Sequence, residues 1–131
     1  MRRNRLLPLL FIMVLAIASC EDDVFGPASL EGEWNVTEKS SAFGEQVFSV
    51  AINYSPDRES IIISNFSNLD MDIEVVAEVM GLDLTIPFQS VQARGGTFRI
   101  SGSGAATSNM RRINWKYRID GNDCTAVFVK Q

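Results

Sequence analysis

Three stretches of this chain alternate apolar and polar residues, and that period of two is the strongest constraint on its fold. Phe48, Val50, Ile52 and Tyr54 are interleaved with Ser49, Ala51 and Asn53. Met71, Ile73, Val75 and Val79 are set against Asp70, Asp72, Glu74 and Glu78. Ile113, Trp115, Tyr117 and Ile119 are set against Arg112, Asn114, Lys116 and Arg118. Successive side chains of a strand point to opposite faces, so each stretch predicts one buried and one wet face, as antiparallel sheets show. No part of the body sustains a 3.6-residue period long enough for a helix. Weaker strand signals over 33–39, 60–66, 82–89, 97–101 and 124–130 fill the gaps. Turn formers such as Ser55-Pro56-Asp57, Ser67-Asn68, Arg94-Gly95-Gly96 and Asp120-Gly121-Asn122 separate them. The expectation is an all-β domain of about eight antiparallel strands, either an up-and-down barrel or a β-sandwich. Pro87 cannot donate to a ladder, so it predicts a bulge or an edge and counts against perfect closure.

The amino terminus carries an address. Met1-Arg2-Arg3-Asn4-Arg5 precedes an apolar run over 6–17 broken only by Pro8. A helix over 6–19 would be about 21 Å long at ~1.5 Å per residue, short of a ~30 Å hydrocarbon core. Residues 1–19 therefore read as a secretory signal. Ile17-Ala18-Ser19-Cys20 resembles the bacterial lipobox, which implies cleavage before Cys20 and a lipidated thiol there. Each buried methylene contributes ~0.8 kcal/mol, so two or three acyl chains hold firmly where one holds weakly. Glu21, Asp22 and Asp23 resemble the export signal of Bacteroidetes lipoproteins and imply the outer face of the outer membrane, with the periplasmic face as the alternative. Residues 20–29, with Gly26-Pro27, read as a flexible acidic tether, and 30–131 as the folded domain.

Gly32-Glu33-Trp34 looks like the Gly-x-Trp opening of lipocalin-like domains. With Asn35-Val36-Thr37-Glu38, Asn65-Phe66, Leu84-Thr85-Ile86-Pro87 with Gln89, and Ser101-Gly102-Ser103-Gly104, it resembles the small lipocalin-like lipoproteins of Bacteroidetes. The resemblance implies a lipocalin-like barrel at the envelope rather than a reaction. In lipocalins a basic residue of the last strands covers this tryptophan, and Arg118 is the candidate for that cation–π contact over Trp34. Some relatives carry a second mature cysteine just after the first strand, where this chain has Ser40 and Ser41. Cys124 is thus expected to lack a partner and to act as a small buried hydrophobe, an intermolecular disulfide being the alternative.

Eight strands enclose an interior that side chains can just fill or that holds one small ligand. Trp34, Phe48, Tyr54, Phe88, Phe98, Trp115, Tyr117 and Phe128 are the candidate interior residues, and their bulk points to a largely filled barrel with a shallow mouth. Charge divides along the chain. Residues 20–83 hold fourteen acidic and two basic residues, whereas 84–131 hold two acidic and seven basic. Arg99, Arg112, Lys116 and Arg118 form a candidate basic docking face, weighed against a merely solvated strand surface. Net negative charge argues against nucleic acid as a partner.

With no histidine in the chain, imidazole is unavailable as a base or metal ligand. No hydrolase serine motif or phosphate loop is present, and nothing singles out a carboxylate pair. The Asp-x-Asp-x-Glu run at 70–74 lacks a glycine-turned calcium loop, so no metal and no cofactor are expected. The expectation is a non-enzymatic binding or accessory module anchored in the membrane through acyl chains on Cys20. A small hydrophobic ligand or an envelope protein is the candidate partner. A β-barrel protease inhibitor and a structural surface lipoprotein are the alternatives.

Overall fold

A computed structural model of the chain describes residues 28–131. The expected leader (1–19), Cys20 and the Glu21, Asp22 and Asp23 cluster lie outside the described residues. The body consists of β1 (Gly32–Ser40), β2 (Gly44–Tyr54), β3 (Ser60–Ser64), β4 (Glu74–Met80), β5 (Asp83–Ala93), β6 (Gly96–Ala106), β7 (Arg112–Ile119) and β8 (Asn122–Lys130). A short 3₁₀ segment, Phe66–Asn68, interrupts the β3–β4 connection. Each strand pairs antiparallel with the next. The ring closes because β1 pairs with β8, from Trp34 opposite Lys130 to Ser40 opposite Cys124. The fold is a closed eight-stranded up-and-down barrel, which rules out the sandwich.

Pro87 sits in a bulge, not at an edge. Ile86 pairs with Gly102 while Gln89 pairs with Ile100, so β5 carries one extra residue between those pairs. A bulge absorbs the missing N–H of proline and re-aims the side chains beyond it. The barrel therefore closes in spite of it. The same bulge corrects one interior expectation: Phe88 is 71% exposed and lies outside, because the extra residue shifts the strand's parity. Past the bulge, Val91 packs against the core opposite Phe98.

A second correction concerns β4. The strand starts at Glu74, and Met71 is exposed in a turn where the Asp72 amide donates to the Asp70 carboxylate. Local aspartate–backbone bonding of this kind competes with strand extension. The inward residues of β4 are Val75 and Ala77, both buried, and Val79, which packs half-buried against the core.

The interior is filled by a contiguous apolar cluster that includes Trp34, Trp115, Phe66, Tyr117 and Phe128. Two glycines on β6 make room for the aromatic residues of β7. A Cβ on Gly102 would lie 2.4 Å from the Tyr117 Cβ, and one on Gly104 would lie 2.5 Å from the Trp115 ring. The two tryptophans differ in one respect. Trp34 Nε1 donates to the Leu30 carbonyl at 3.0 Å, whereas Trp115 Nε1 is buried with no partner among the described residues.

The barrel has two unlike ends. At the tether end lie residues 28–31 and the connections 55–59, 81–82 and 107–111. Leu30 is buried there, and the Lys130 ammonium stands 5.7 Å above the Trp34 ring and donates to the Ser29 carbonyl. Lys130, not Arg118, is thus the cation over Trp34. Arg118 falls on the outward parity of β7 and pairs instead with Asp123 at 3.0 Å. At the opposite end, the 3₁₀ segment folds into the mouth as a plug.

A buried donor without a partner carries an unrecovered desolvation cost. Trp34→Phe removes a satisfied hydrogen bond and Trp115→Phe removes an orphaned N–H. Urea unfolding should therefore show Trp34→Phe costing about 1 kcal/mol more than Trp115→Phe. Gly102→Ala, with no space for its methyl, should cost more than about 2 kcal/mol or prevent folding.

Candidate functional site

The strongest chemical feature of the barrel is a carboxylate inside it. Trp34, Val36 and Glu38 share the inward parity of β1, so the alternation that buries the tryptophan also carries Glu38 into the core. Its exposure is 0%. Burying a carboxylate is tolerable only when donors converge on it. Gln46, its cross-strand partner on β2, donates from Nε2 to Oε1 at 2.7 Å. The Ser67 hydroxyl donates to Oε2 at 2.6 Å, and the Tyr117 hydroxyl donates to the same oxygen. Among the described residues no lysine or arginine forms an ion pair with Glu38.

One of these donors belongs to the plug. Phe66 inserts fully into the barrel with its ring 4.6 Å from that of Tyr117, and Ser67 follows it onto Glu38. Asn65, Ser67 and Asn68 all hold positive φ, at 66°, 55° and 60°. Left-handed conformations are disfavoured for residues other than glycine and persist only where surroundings enforce them. Here the Asn65 amide donates to the Ser49 carbonyl at 2.9 Å, and the Ser67 hydroxyl is held by Glu38.

The wall beside the plug is also lightly joined. β4 and β5 share only three backbone pairs, from Glu78–Thr85 to Met80–Asp83. Towards the plug end the Gln89 side chain stands in for a strand: its amide donates to the Val76 carbonyl at 2.9 Å and accepts from the Val76 N–H at 3.0 Å.

Tyr117 is the group most perturbed by this setting. Burial, and then the negative charge of Glu38, push its phenol far above the ordinary range. Cys124, opposite Tyr117 and Ser40, is buried and has no disulfide partner among the described residues, and burial raises its thiol too. A thiol held protonated is a poor nucleophile.

The candidate interior residues do not converge on one pocket. Trp34 and Tyr54 lie towards the tether end, where the Arg58 guanidinium stacks 4.4 Å above the Tyr54 ring. Phe48 and Phe98, both half-buried, lie towards the plug end. Trp115 and Tyr117 sit between them, and Phe88 lies outside. The candidate basic residues are all on the outer surface but spread along a stripe. Arg99 and Arg118 flank a shallow depression beside Phe88. Arg112 is six residues from Arg118 along β7, about 20 Å at ~3.3 Å per residue. A second concavity of about 800 Å³ lies on the outer wall and is lined by outward side chains including Thr37, Thr85, Ser103 and Asn114. Among the described residues no group of three or more acidic or cysteine side chains is placed to hold a metal ion.

Glu38, Gln46, Phe66 and Ser67 were not among the candidate site residues. The signal for Glu38 was its parity with Trp34 and Val36. Nothing local could show that Phe66 and Ser67 turn inward, since they read as a strand end and a turn.

Comparison with known proteins bears on the fold. No protein-family model matches the chain, and no curated protein matches it. Solved structures do. A redesigned β-barrel is 13% identical, with a TM-score of 0.56, covering 78% of this chain and 91% of its own. A redesigned β-barrel bound to DFHBI is 19% identical at 0.56, covering 77% and 94%. A de novo designed fluorescence-activating β-barrel is 19% identical at 0.53, covering 82% and 94%. At these identities the likeness is one of architecture.

The raised Tyr117 phenol has a consequence for stability. The unfolded chain ionises this phenol near pH ~10 while the folded chain keeps its proton, so stability is complete below that value and falls as pH rises above it. Unfolding free energies measured from about pH 8 to 11 should show this alkaline loss in the wild type. Tyr117→Phe should lack that component, and at pH ~7 it should cost about 1–3 kcal/mol by leaving Glu38 short of a donor.

Proposed function

We propose that this protein is a non-catalytic binding module of the cell envelope that takes a small hydrophobic ligand at its plugged end. The observation that carries this reading is the closure of that end by a three-residue insertion, Phe66–Asn68, rather than by the strands themselves. A ring seated in the barrel by a short, locally strained segment occupies the kind of apolar space that a ligand would take in its stead. One of the similar barrels is bound to DFHBI, so the architecture is compatible with a bound molecule. The donors gathered on Glu38 and the protonated thiol of Cys124 suit recognition better than nucleophilic chemistry.

In this reading the protein is one of the small lipocalin-like lipoproteins of Bacteroidetes, cleaved before Cys20, acylated there and displayed on the outer membrane. The position of residues 28–31 supports the arrangement: the chain reaches the barrel at the end opposite the plug. A membrane tether would then leave the plugged end facing away from the bilayer.

Three measurements test these statements. Titration with an apolar fluorescent probe should give saturable uptake, about tenfold tighter in Phe66→Ala, where a ring-sized space is vacated; lack of uptake by both proteins would refute the ligand reading. Mass spectrometry of protein extracted from membranes should find residues 1–19 removed and Cys20 carrying acyl chains. An unmodified amino terminus would end the anchor reading, and full protection from protease on intact cells would place the domain on the periplasmic side.

A further inference from the structure

We propose that the ligand of the plugged end is a hydrophobic amine, its ammonium seated on Glu38 and its apolar body taking the place of Phe66 against Tyr117. This rests on the reading that the plug yields to a ligand, and it adds the chemistry of the head group. The plug itself displays the pattern. Phe66 lays a ring 4.6 Å from Tyr117, and the next residue brings a hydrogen-bond donor 2.6 Å from Glu38 Oε2. When both withdraw, they leave a ring-sized apolar slot, an aromatic wall and a carboxylate that has lost a donor.

The replacement must restore that donor, because a buried carboxylate short of hydrogen bonds is costly. Gln46 remains on Oε1 and Tyr117 on Oε2, so the vacancy is a single position at Oε2. A ligand carboxylate or phosphate would meet like charge there. A neutral hydroxyl would supply one donor but no compensating charge. An ammonium supplies three donors and the positive charge that Glu38 otherwise lacks, since no cationic side chain pairs with it among the described residues. Buried acidic residues are usually paired, and an unpaired one in a core that opens by a plug is a ready counter-ion.

The experiment compares three probes of one skeleton by calorimetry with the full chain at neutral pH: 2-phenylethylamine, 2-phenylethanol and 3-phenylpropionate. The amine should bind at least tenfold more tightly than the alcohol, and the carboxylate least. Glu38→Gln should bring the amine to the level of the alcohol while leaving the alcohol's affinity within a factor of about three. Equal affinities for amine and alcohol in the wild type would overturn the head-group assignment while leaving the hydrophobic-ligand reading intact. Failure of all three probes in both wild type and a folded Phe66→Ala would overturn the two together. Should Glu38→Gln not fold, the amine-to-alcohol ratio in the wild type decides alone.

Discussion

An eight-stranded barrel has a fixed interior, wide enough for one layer of interdigitating side chains, and the strands cannot move apart to admit more. The distinctive features of this protein come from how that volume is filled. Two tryptophans, a tyrosine and two phenylalanines enter it. They fit because β6 offers bare backbone at Gly102, against the Cα and Cβ of Tyr117, and at Gly104, against the Trp115 ring. The apolar filling extends to the tether end through Leu30 and Trp34. At the other end it continues through Phe66 and Ile119 but is interrupted on β1 by Glu38.

That interruption shapes the plug. A carboxylate at an inward position must draw donors, and the barrel wall provides two, from Gln46 and Tyr117. The third comes from outside the sheet, by bending the β3–β4 connection into the mouth until Ser67 reaches it. Holding three non-glycine residues at positive φ opposes this inward turn. The hydrogen bonds to Glu38 and the burial of Phe66 offset it. The plug is thus secured by a few specific contacts and not by a ladder, beside a β4–β5 wall that is itself joined by three backbone pairs and one glutamine side chain. Stability in proteins is uneven in this way, and parts that move for function come from the less secured regions.

The two ends are therefore held together differently. The tether end is fixed by the Trp34–Leu30 hydrogen bond, the Lys130 ammonium above the indole and the ring closure of β1 on β8. The plug end gathers the polar chemistry of the interior and the lightest backbone pairing. The outer wall, with Arg118 tied to Asp123 and the remaining candidate cations strung along a stripe, offers charge without convergence.

Period-two alternation in three stretches, with turn formers between weaker strand signals, determined an all-β domain of about eight antiparallel strands and most of the inward set, because the pleat leaves each side chain only two faces to choose from. It also determined that Pro87 would disturb its strand. It could not say that the disturbance would be a bulge, and the bulge's extra residue is what sent Phe88 outside. The alternation along β7 already turned Arg118 outward, whereas the register of β8 on β1, which sets Lys130 opposite Trp34, was decided only by the fold. Only the tertiary structure decided between barrel and sandwich, since closure is a contact between the first and last strands. It alone revealed the Glu38 site, because the donors that make a buried carboxylate tolerable come from three separate parts of the chain, and no local pattern records that they meet.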